Sequence, residues 1–170
     1  MDLASYVRTI EDYPKPGISF KDITTLLKDG EAFKYAIDAM IENLKDKKVD
    51  HIIGMDARGF IFGAAVAYGL GVGFIPARKP NKLPAEVIGC EYELEYGTNS
   101  IEIHKDAINP GDRIVIVDDL LATGGTAGAV ERLVKDLKGE LIGFEFLIEL
   151  DFLKGREKLE NKNIHVLIHY

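Results

Sequence analysis

Apolar and polar residues alternate along the chain with two different periods. Between positions 31 and 48, apolar residues recur every three or four positions with charged residues between them, a spacing that predicts an amphipathic helix. Short, nearly continuous apolar runs predict buried strands instead. Helices are thus predicted at 31–48, 60–70 and 127–137, and strands at 49–55, 71–77, 114–118, 141–150 and 164–168. Strands separated by crossover helices predict an α/β fold with a mostly parallel central sheet, flanked by helices on both faces.

Two segments depart from this alternation. The first 30 residues contain Pro14, Pro16 and Gly17, which interrupt regular structure, so we expect an N-terminal arm or small hood over the strand ends. Residues 91–103 alternate apolar and polar positions around a Gly-Thr-Asn sequence at 97–99, which predicts a hairpin. We therefore expect a single domain over 1–170, with residues 1–30 as the hood and 31–170 as the α/β core.

Composition narrows the class of protein. The 170 residues are 46% apolar and 29% charged, as in a soluble globular domain with a substantial core. The net charge of -7 argues against a general nucleic-acid-binding protein. The most apolar window, 59–74, is too short and too rich in glycine to span a membrane. The single cysteine, Cys90, excludes an internal disulfide, and the charged N-terminus lacks a signal-peptide pattern, so we expect a cytoplasmic protein.

The segment 114–126, IVIVDDLLATGGT, carries the clearest chemical signal. A predicted strand is followed by Asp118 and Asp119, then by small and hydroxyl residues, then by a predicted helix. A glycine-rich turn into a helix presents free backbone N–H groups to an anion. Adjacent carboxylates can accept hydrogen bonds from sugar hydroxyls or hold a hydrated metal. The segment therefore indicates a site for a sugar phosphate.

The carboxylate pair argues against a purely structural turn at this position. An acidic turn that caps a helix would account for the small residues alone, but not for two carboxylates directly after a buried strand. The segment also lacks the Lys of the Walker-type nucleotide loop, and it lacks the GxGxxG spacing of dinucleotide-binding folds.

Two other polar turns follow predicted strands. The turn DARG, which contains Arg58, begins directly after one strand, and the basic cluster of Arg78, Lys79 and Lys82 follows the next. A salt bridge would explain Arg58, and a solvated loop would explain the cluster. Because ligands bind at the carboxyl ends of parallel strands, both turns also suit a polyanionic ligand.

Several further motifs occur in the order found in one known family. Together with 114–126 they make the chain resemble the type I phosphoribosyltransferases, and among these the adenine-specific members, nearly from end to end. The matching motifs are YPKPGISFKDITTLL (13–27), DARGFIFG (56–63), RKPNKLP (78–84), LEYG (94–97) and LKGREKL (153–159). Several motifs in the right order are more specific than any one of them.

The resemblance implies an activity and its requirements. Members of this family transfer a 5-phosphoribosyl group from phosphoribosyl diphosphate to adenine, giving AMP and diphosphate in purine salvage. They depend on Mg²⁺, are cytosolic and are usually homodimers. The implied partners are adenine and phosphoribosyl diphosphate, and neither nucleic acid nor membrane is among them. We expect Mg²⁺ to be held mainly by substrate oxygens and water, without a dedicated protein cage.

By resemblance, the segment 114–126 binds ribose 5-phosphate. Asp118 and Asp119 would hold the ribose 2′- and 3′-hydroxyls. The 5′-phosphate would be wrapped by the small and hydroxyl residues that follow, namely Ala122, Thr123, Gly124, Gly125 and Thr126.

The resemblance places adenine between the arm and the same segment. Phe20 would stack on one face of the base, and Leu120 would pack on the other. Selectivity in the family comes largely from backbone C=O and N–H groups near Ser19 and Lys21, which complement the amino group and ring nitrogens of adenine. The family commonly has Arg where this chain has Lys21, and Lys replaces a two-pronged donor with a point charge.

The resemblance also assigns residues that would bind the leaving group, diphosphate. Arg58 would bind the departing diphosphate together with Asp56 and Ala57, and would count as catalytic because it stabilises the charge that develops there. The family often has a strained peptide at this position, which makes Asp56–Ala57 a candidate for a cis bond. Diphosphate would also meet the basic cluster, Arg78, Lys79 and Lys82, in part from the neighbouring subunit.

The predicted hairpin resembles the mobile lid of the family. By resemblance, Glu95 is the carboxylate that handles a proton and Tyr96 helps to close the site. The histidines lack metal-ligand or triad spacing and are interpreted as structural: His51, His104, His165 and His169.

Two alternative functions stay open on the sequence. The first is a phosphoribosyltransferase for another base, although the Asp-Asp pair and the arm sequence PGISFKDI favour adenine. The second is a regulator that binds phosphoribosyl diphosphate without turnover. Such regulators usually carry an additional nucleic-acid-binding segment or a basic face, whereas this chain is acidic.

Overall fold

The computed structural model describes residues 1–94 and 96–170. The strands are β1 (Arg8–Ile10), β2 (Phe20–Asp22), β3 (His51–Met55), β4 (Gly73–Ala77), β5 (Val87–Glu93), β6 (Thr98–His104), β7 (Arg113–Leu121), β8 (Glu140–Glu149) and β9 (Ile164–His169). The α-helices are α1 (Thr24–Lys28), α2 (Gly30–Leu44), α3 (Gly59–Leu70) and α4 (Gly125–Asp136), and 3-10 turns occupy Leu3–Tyr6, Asp151–Leu153 and Gly155–Lys158. Within the described part of the chain, no helix combines the length and apolar character that a bilayer crossing requires.

Five strands form one parallel sheet in the order β4-β3-β7-β8-β9. β7 occupies the centre, and its four residues from Ile114 to Val117 are fully buried. A strand can bury side chains on both faces only when both faces of its sheet are covered. The predicted α/β fold with a mostly parallel sheet is confirmed.

Each face of the sheet has its own apolar core. On one face, α2 and α3 pack with part of the arm over Ile52, Val115 and Val117. On the other face, α4 and the β5–β6 hairpin pack over Ile114 and Ile116. The second face is therefore covered partly by a hairpin, whereas the sequence pattern predicted helices alone.

Two boundaries differ from the expectation. β7 continues to Leu121 instead of ending at 118, because it stays paired with β8, so Asp118 and Asp119 both lie inside the strand. The hairpin turn comes earlier than predicted, since Thr98 and Asn99 already belong to β6 and pair with β5.

The N-terminal arm contains elements that its prolines and glycine did not predict. β1 and β2 form an antiparallel pair, and α1 follows. Arg8 Nη2 lies 2.5 Å from Asp22 Oδ2, and Thr25 Oγ1 donates to the carbonyl of Tyr6 at 2.6 Å. Hydrogen bonds from Thr24, together with Arg8, lower the pKa of Asp22 to about 2. The arm also adds apolar side chains to the core, namely Leu3, Ile23 and Leu26. These contacts fix β2, which begins with Phe20.

Candidate active site

Loops at the carboxyl ends of three neighbouring strands meet at one edge of the sheet. β3 lies between β4 and β7, and all three strands are parallel. Arg58, which follows β3, places its Nε 2.9 Å from Oδ2 of Asp119 in β7. Arg78, which follows β4, donates from Nε to Asp56 Oδ2 at 3.2 Å. The structure therefore joins polar turns that lie far apart in the sequence.

The turn after β7 forms a small cradle of backbone and hydroxyl groups. Residues 122–124 link the strand to α4, and Gly124 has a φ of 81°, a left-handed conformation that favours glycine. The cavity measures about 80 Å³ and is lined by Met55, Asp118, Leu120, Leu121, Ala122, Thr123, Gly124, Gly125, Thr126 and Ala127. Because the first turn of α4 leaves backbone N–H groups without helical acceptors, the cradle suits an anion such as phosphate.

Asp118 and Asp119, at the strand end beside this cradle, differ in how far they are buried. Asp118 is partly exposed, and its Oδ1 accepts a hydrogen bond from the backbone N–H of Asp119 at 2.9 Å. A Cβ at Gly59 would lie 2.6 Å from the same oxygen, so glycine permits the close packing of α3 against the strand end. Asp119 is only 4% exposed.

The two carboxyl groups influence each other's pKa, and one of their oxygens lacks a hydrogen bond from any described residue. Asp119 Oδ2 pairs with Arg58, but the Arg58 N–H is not aligned for a hydrogen bond, and no other donor among residues 1–94 and 96–170 reaches that oxygen. Loss of surrounding water raises the pKa of Asp118, and the charge of Asp119 raises it further. Burial also raises the pKa of Asp119, against the opposing effect of Arg58. A buried acceptor without a donor is costly, and a ligand hydroxyl would satisfy it.

Arg58 links this pair to the arm. Its guanidinium carbon lies 5.6 Å from the centre of the Phe20 ring, within the range of a cation–π contact. Tyr13 packs edge-on against the same ring at 5.3 Å. Leu120, which also lines the cradle, is partly buried. An aromatic face, a cation and a pair of carboxylates thus adjoin one anion cradle.

Comparisons with known proteins agree with this geometry. The family model described as "Phosphoribosyl transferase domain" matches residues 24–168. An adenine phosphoribosyltransferase of Clostridium botulinum (strain Hall) is 56% identical over 170 residues, which cover 100% of this chain and 99% of that protein. The chain belongs to the adenine phosphoribosyltransferase family.

Solved structures extend the comparison with this family. Adenine phosphoribosyltransferase from Thermoanaerobacter pseudethanolicus matches with a TM-score of 0.96 at 55% identity, covering 99% of this chain and 98% of that one. The Saccharomyces cerevisiae enzyme, solved with adenine and an imino-altritol bisphosphate, has a TM-score of 0.94 and 42% identity, with 98% and 96% coverage.

Among the residues that the family resemblance assigns to the diphosphate, Arg58 pairs with Asp119 and Arg78 pairs with Asp56. The Asp56–Ala57 peptide is cis. The Arg78 guanidinium carbon lies 5.8 Å from the centre of the Phe60 ring. Both lysines of the basic cluster, Lys79 and Lys82, are exposed, and neither forms an ion pair with a described residue. The lysine charges are therefore available to a polyanion.

The ammonium group of Lys21 contacts both the arm and the C-terminal residue. Lys21 Nζ donates to Thr9 Oγ1 at 3.1 Å and lies 4.0 Å above the ring of Tyr170. The exposed Ser19 lies beside it and donates to Glu11. The Lys21 ammonium is thus shared between the arm and the C-terminal residue.

The stem of the hairpin lies against α4. A Cβ at Gly125 would lie 3.2 Å from the Tyr92 ring, and Arg132 donates to the carbonyl of Glu91 at 3.4 Å. Tyr96 is 88% exposed. Glu95, the proton-handling candidate of the family resemblance, lies outside the described residues.

The four histidines have polar partners away from the cradle. His51 lies near Asp112, His165 near Glu145, and His104 accepts from the backbone of Ala85. His169 joins Glu149 and Asp151 in a group with metal-like spacing, the one such group in the described ranges. Arg156 already binds both carboxylate oxygens of Glu149, so this group is an ion-pair network.

Cavity size alone would not have located the site. A larger groove of about 410 Å³ lies within the arm, lined by Ser5, Tyr6, Val7, Arg8, Thr25, Lys28 and Asp29. Its arginine is already paired with Asp22. The small cradle instead has backbone N–H groups of the first turn of α4 and the carboxylate of Asp118, next in sequence to the unsatisfied Asp119.

Sequence reasoning missed two residues beside the site. Gly155 packs beneath the cradle, and Tyr170 holds Lys21. The motif LKGREKL marked the region of Gly155 without suggesting a role, and nothing in the sequence pattern singled out Tyr170.

Proposed function

We propose that the chain transfers the 5-phosphoribosyl group of phosphoribosyl diphosphate to adenine, giving AMP and diphosphate as a step of purine salvage. The observation that carries the proposal is the junction of Arg58, Asp119 and Phe20 beside the phosphate cradle. This junction offers contacts for a sugar phosphate, for a base and for a diphosphate within one site. Relatives over the whole length of the chain are named for the same activity.

The ribose 5-phosphate would occupy the cradle and the carboxylate pair. Backbone N–H groups and hydroxyls of 122–126 bind the 5′-phosphate, and Asp118 and Asp119 accept hydrogen bonds from the ribose hydroxyls. The buried Asp119 oxygen without a hydrogen bond supports this role, because a ribose hydroxyl would supply its donor. Arg58 would then exchange its ion pair with Asp119 for one with the diphosphate.

Adenine would bind between Phe20 and Leu120. The proximity of Phe20 to Arg58 supports this placement, since it brings the ring to the same edge of the sheet as the carboxylates. Backbone C=O and N–H groups near Ser19 and Lys21 would form hydrogen bonds with the amino group and ring nitrogens of adenine. The yeast relative was solved with adenine.

The reaction then follows from charge flow. The bond from C1′ to diphosphate oxygen breaks, and its electron pair leaves with the diphosphate. Adenine N9 forms the new bond to the cationic sugar carbon and gives up its proton, with Glu95 as the proposed acceptor. Developing negative charge is stabilised by cations, namely Arg58, Arg78, Lys79 and Lys82. Tyr96 would help to exclude water when the hairpin closes.

Mg²⁺ enters this proposal together with the substrate. Asp119 and Asp56 are already paired with arginines, and Asp118 lines the cradle. These residues would therefore fit a cation that is held mainly by oxygens of the substrate and by water, close to Asp118 and Asp119. When bound, the cation neutralises part of the diphosphate charge.

We further propose a cytoplasmic homodimer of single-domain subunits, with no nucleic-acid or membrane partner. The outer face of α3 supports the dimer because it is apolar. Ile61 is 40% exposed and Tyr68 is 90% exposed, with the exposed Ala64 between them. A helix that is apolar on all sides is normally buried on all sides, and a second copy of the chain would cover this face.

Turnover with separate bases tests the activity. The purified protein is incubated with phosphoribosyl diphosphate, Mg²⁺ and each purine or orotate in turn, and nucleotide products are separated by chromatography. We expect AMP from adenine. Turnover of another base without AMP formation would instead assign a different phosphoribosyltransferase, and binding of phosphoribosyl diphosphate without any turnover would indicate a regulator.

A further inference from the structure

The 3-10 turn Gly155–Lys158 lies directly beneath the phosphate cradle. A Cβ on Gly155 would overlap the carbonyl oxygen of Ala122 and lie 3.2 Å from the amide nitrogen of Gly124. In the other direction, a Cβ on Gly124 would overlap the carbonyl oxygen of Gly155. The two backbones therefore touch with no side chain between them. Residues 155–161 are called the floor segment below.

The floor segment is anchored at both ends. Near its start, Arg156 Nε donates to the two carboxylate oxygens of Glu149 at 2.8 and 2.7 Å. At its end, the backbone N–H groups of Glu160 and Asn161 donate to Glu131 at 2.9 and 2.7 Å. Both acceptors are buried, with Glu149 at 2% and Glu131 at 7% exposure. Charge-assisted bonds of this kind are stronger than neutral ones, so the floor segment resists displacement.

Each anchor belongs to an element that borders the cradle. Glu149 pairs in register with Leu121, the last residue of β7. Glu131 lies in α4, whose first turn forms the other side of the cradle. The floor segment thus ties the strand end to the helix across the back of residues 122–124.

We infer that Gly155 is a positioning residue for the phosphate cradle. Its bare backbone lets the anchored floor segment hold residues 122–124 in the conformation that aims their N–H groups at the 5′-phosphate. The inference rests on the proposed function, since it takes the cradle as the 5′-phosphate site. A side chain at this position would overlap the loop backbone, and the anchors at both ends of the floor segment oppose its movement away from the loop.

The test compares two Gly→Ala variants that face the same segment. In Gly155→Ala the new Cβ overlaps the loop backbone. In Gly128→Ala, the matched control, the Cβ would lie 3.6 Å from the carbonyl oxygen of Lys158, which is an ordinary contact. Binding of ribose 5-phosphate is measured by calorimetry, and KM and kcat are measured for phosphoribosyl diphosphate. Thermal unfolding shows whether each variant is folded.

We expect Gly155→Ala to weaken ribose 5-phosphate binding and to raise KM for phosphoribosyl diphosphate about tenfold or more, because small misplacements of a preorganised site are costly. We expect kcat to change less, and Gly128→Ala to bind like the unaltered protein. Hydrogen exchange of the amides at 122–126 should become faster in Gly155→Ala. The inference would be overturned if Gly155→Ala bound ribose 5-phosphate like the unaltered protein and its faster hydrogen exchange were confined to residues 155–161. Failure of the unaltered protein to bind ribose 5-phosphate would overturn the proposed function instead.

A second variant covers the case in which Gly155→Ala does not fold. Arg156→Lys adds no atom against the loop but replaces the planar guanidinium, which contacts Glu149 through both Nε and Nη2, with a single ammonium group. We expect it to weaken ribose 5-phosphate binding in the same direction by a smaller factor, about threefold. Ribose 5-phosphate binding equal to that of the unaltered protein would contradict a positioning role for the floor segment.

Discussion

Asp119 combines deep burial with incomplete hydrogen bonding. Its side chain is 4% exposed, its Oδ2 lies 2.9 Å from Arg58, and that oxygen receives no hydrogen bond within the described residues. Proteins rarely leave such an acceptor unsatisfied without a functional reason. The residue is therefore the sharpest single test of the ribose site.

Asp119→Asn should lower kcat/KM for phosphoribosyl diphosphate about tenfold to a hundredfold, since a charged hydrogen bond contributes roughly 1.5–3 kcal/mol. Steady-state kinetics at saturating adenine measure the effect. Asp106→Asn, at an exposed turn position, is the control and should behave like the parent protein. Kinetics of Asp119→Asn that match the parent would remove this residue from the ribose site.

Asp118 should make the ligand-free protein less stable at higher pH. Loss of water around its carboxyl group and the charge of Asp119 raise the pKa of Asp118, so the folded state binds this proton more tightly than the unfolded state. The stability it contributes is present below the ordinary pKa of 3.8 and is lost as pH rises through the raised pKa. Asp118→Asn should therefore raise the unfolding free energy near pH 7 by about 0.5–2 kcal/mol while impairing activity.

Urea unfolding of the ligand-free protein, measured across the pH range above the ordinary carboxyl pKa of 3.8, tests this effect. The curve for Asp118→Asn should be flatter than that of the parent, and Asp106→Asn should follow the parent. A parent protein whose stability rose with pH as Asp118 ionised would contradict the assigned direction.

At the scale of elements, the C-terminus and the arm meet at Lys21. Tyr170 follows β9 and is fixed by backbone hydrogen bonds, because its N–H donates to Glu149 and its carbonyl accepts from Asp151. Its ring lies 4.0 Å from Lys21 Nζ, next to Phe20 in β2. The last residue of the chain thus helps to position the strand that is proposed to bind adenine.

Tyr170→Leu should raise KM for adenine about two- to fivefold with little change in kcat, because an exposed cation–π contact contributes about 0.5–1 kcal/mol. Tyr170→Phe keeps the aromatic face and should behave like the parent. Initial rates at varied adenine and saturating phosphoribosyl diphosphate distinguish the two variants. If both variants raise KM equally, the ring face is not the cause.

At the scale of the whole molecule, the outer face of α3 is apolar where a free helix would be polar. Tyr68 on this face is 90% exposed, and α3 begins directly after Arg58. A dimer through this face would therefore place a second subunit beside the diphosphate side of the site.

Tyr68→Lys should convert the proposed dimer into a monomer, since each subunit would bury an unpaired ammonium group in the interface. Sedimentation equilibrium would then give about half of the parent mass, and activity should fall with it. Tyr35→Lys, at a tyrosine of α2 that is 44% exposed, is the matched control. A parent protein that sediments as a monomer would refute the dimer.

Much of the fold could be predicted because its signals are local. The run from Ile114 to Val117 is buried on both faces, and such a run is typical of a central parallel strand. The hairpin cover could not be predicted, because Ile101 and Ile103 alternate with polar residues as in any half-exposed strand. Which face of the sheet they cover depends on contacts with α4 and β4, which are separate elements of the chain.

The sequence by itself determined the central strand, the carboxylate pair and the cradle, because these lie within thirteen consecutive residues, 114–126, and follow from backbone geometry. The family motifs added the expected roles of Arg58 and Phe20. Only the tertiary structure decided that Arg58 reaches Asp119 and that Phe20 lies beside it. It alone also brought Gly155 beneath the cradle. These contacts join residues tens of positions apart, and the packing of whole elements, not local preference, sets such distances.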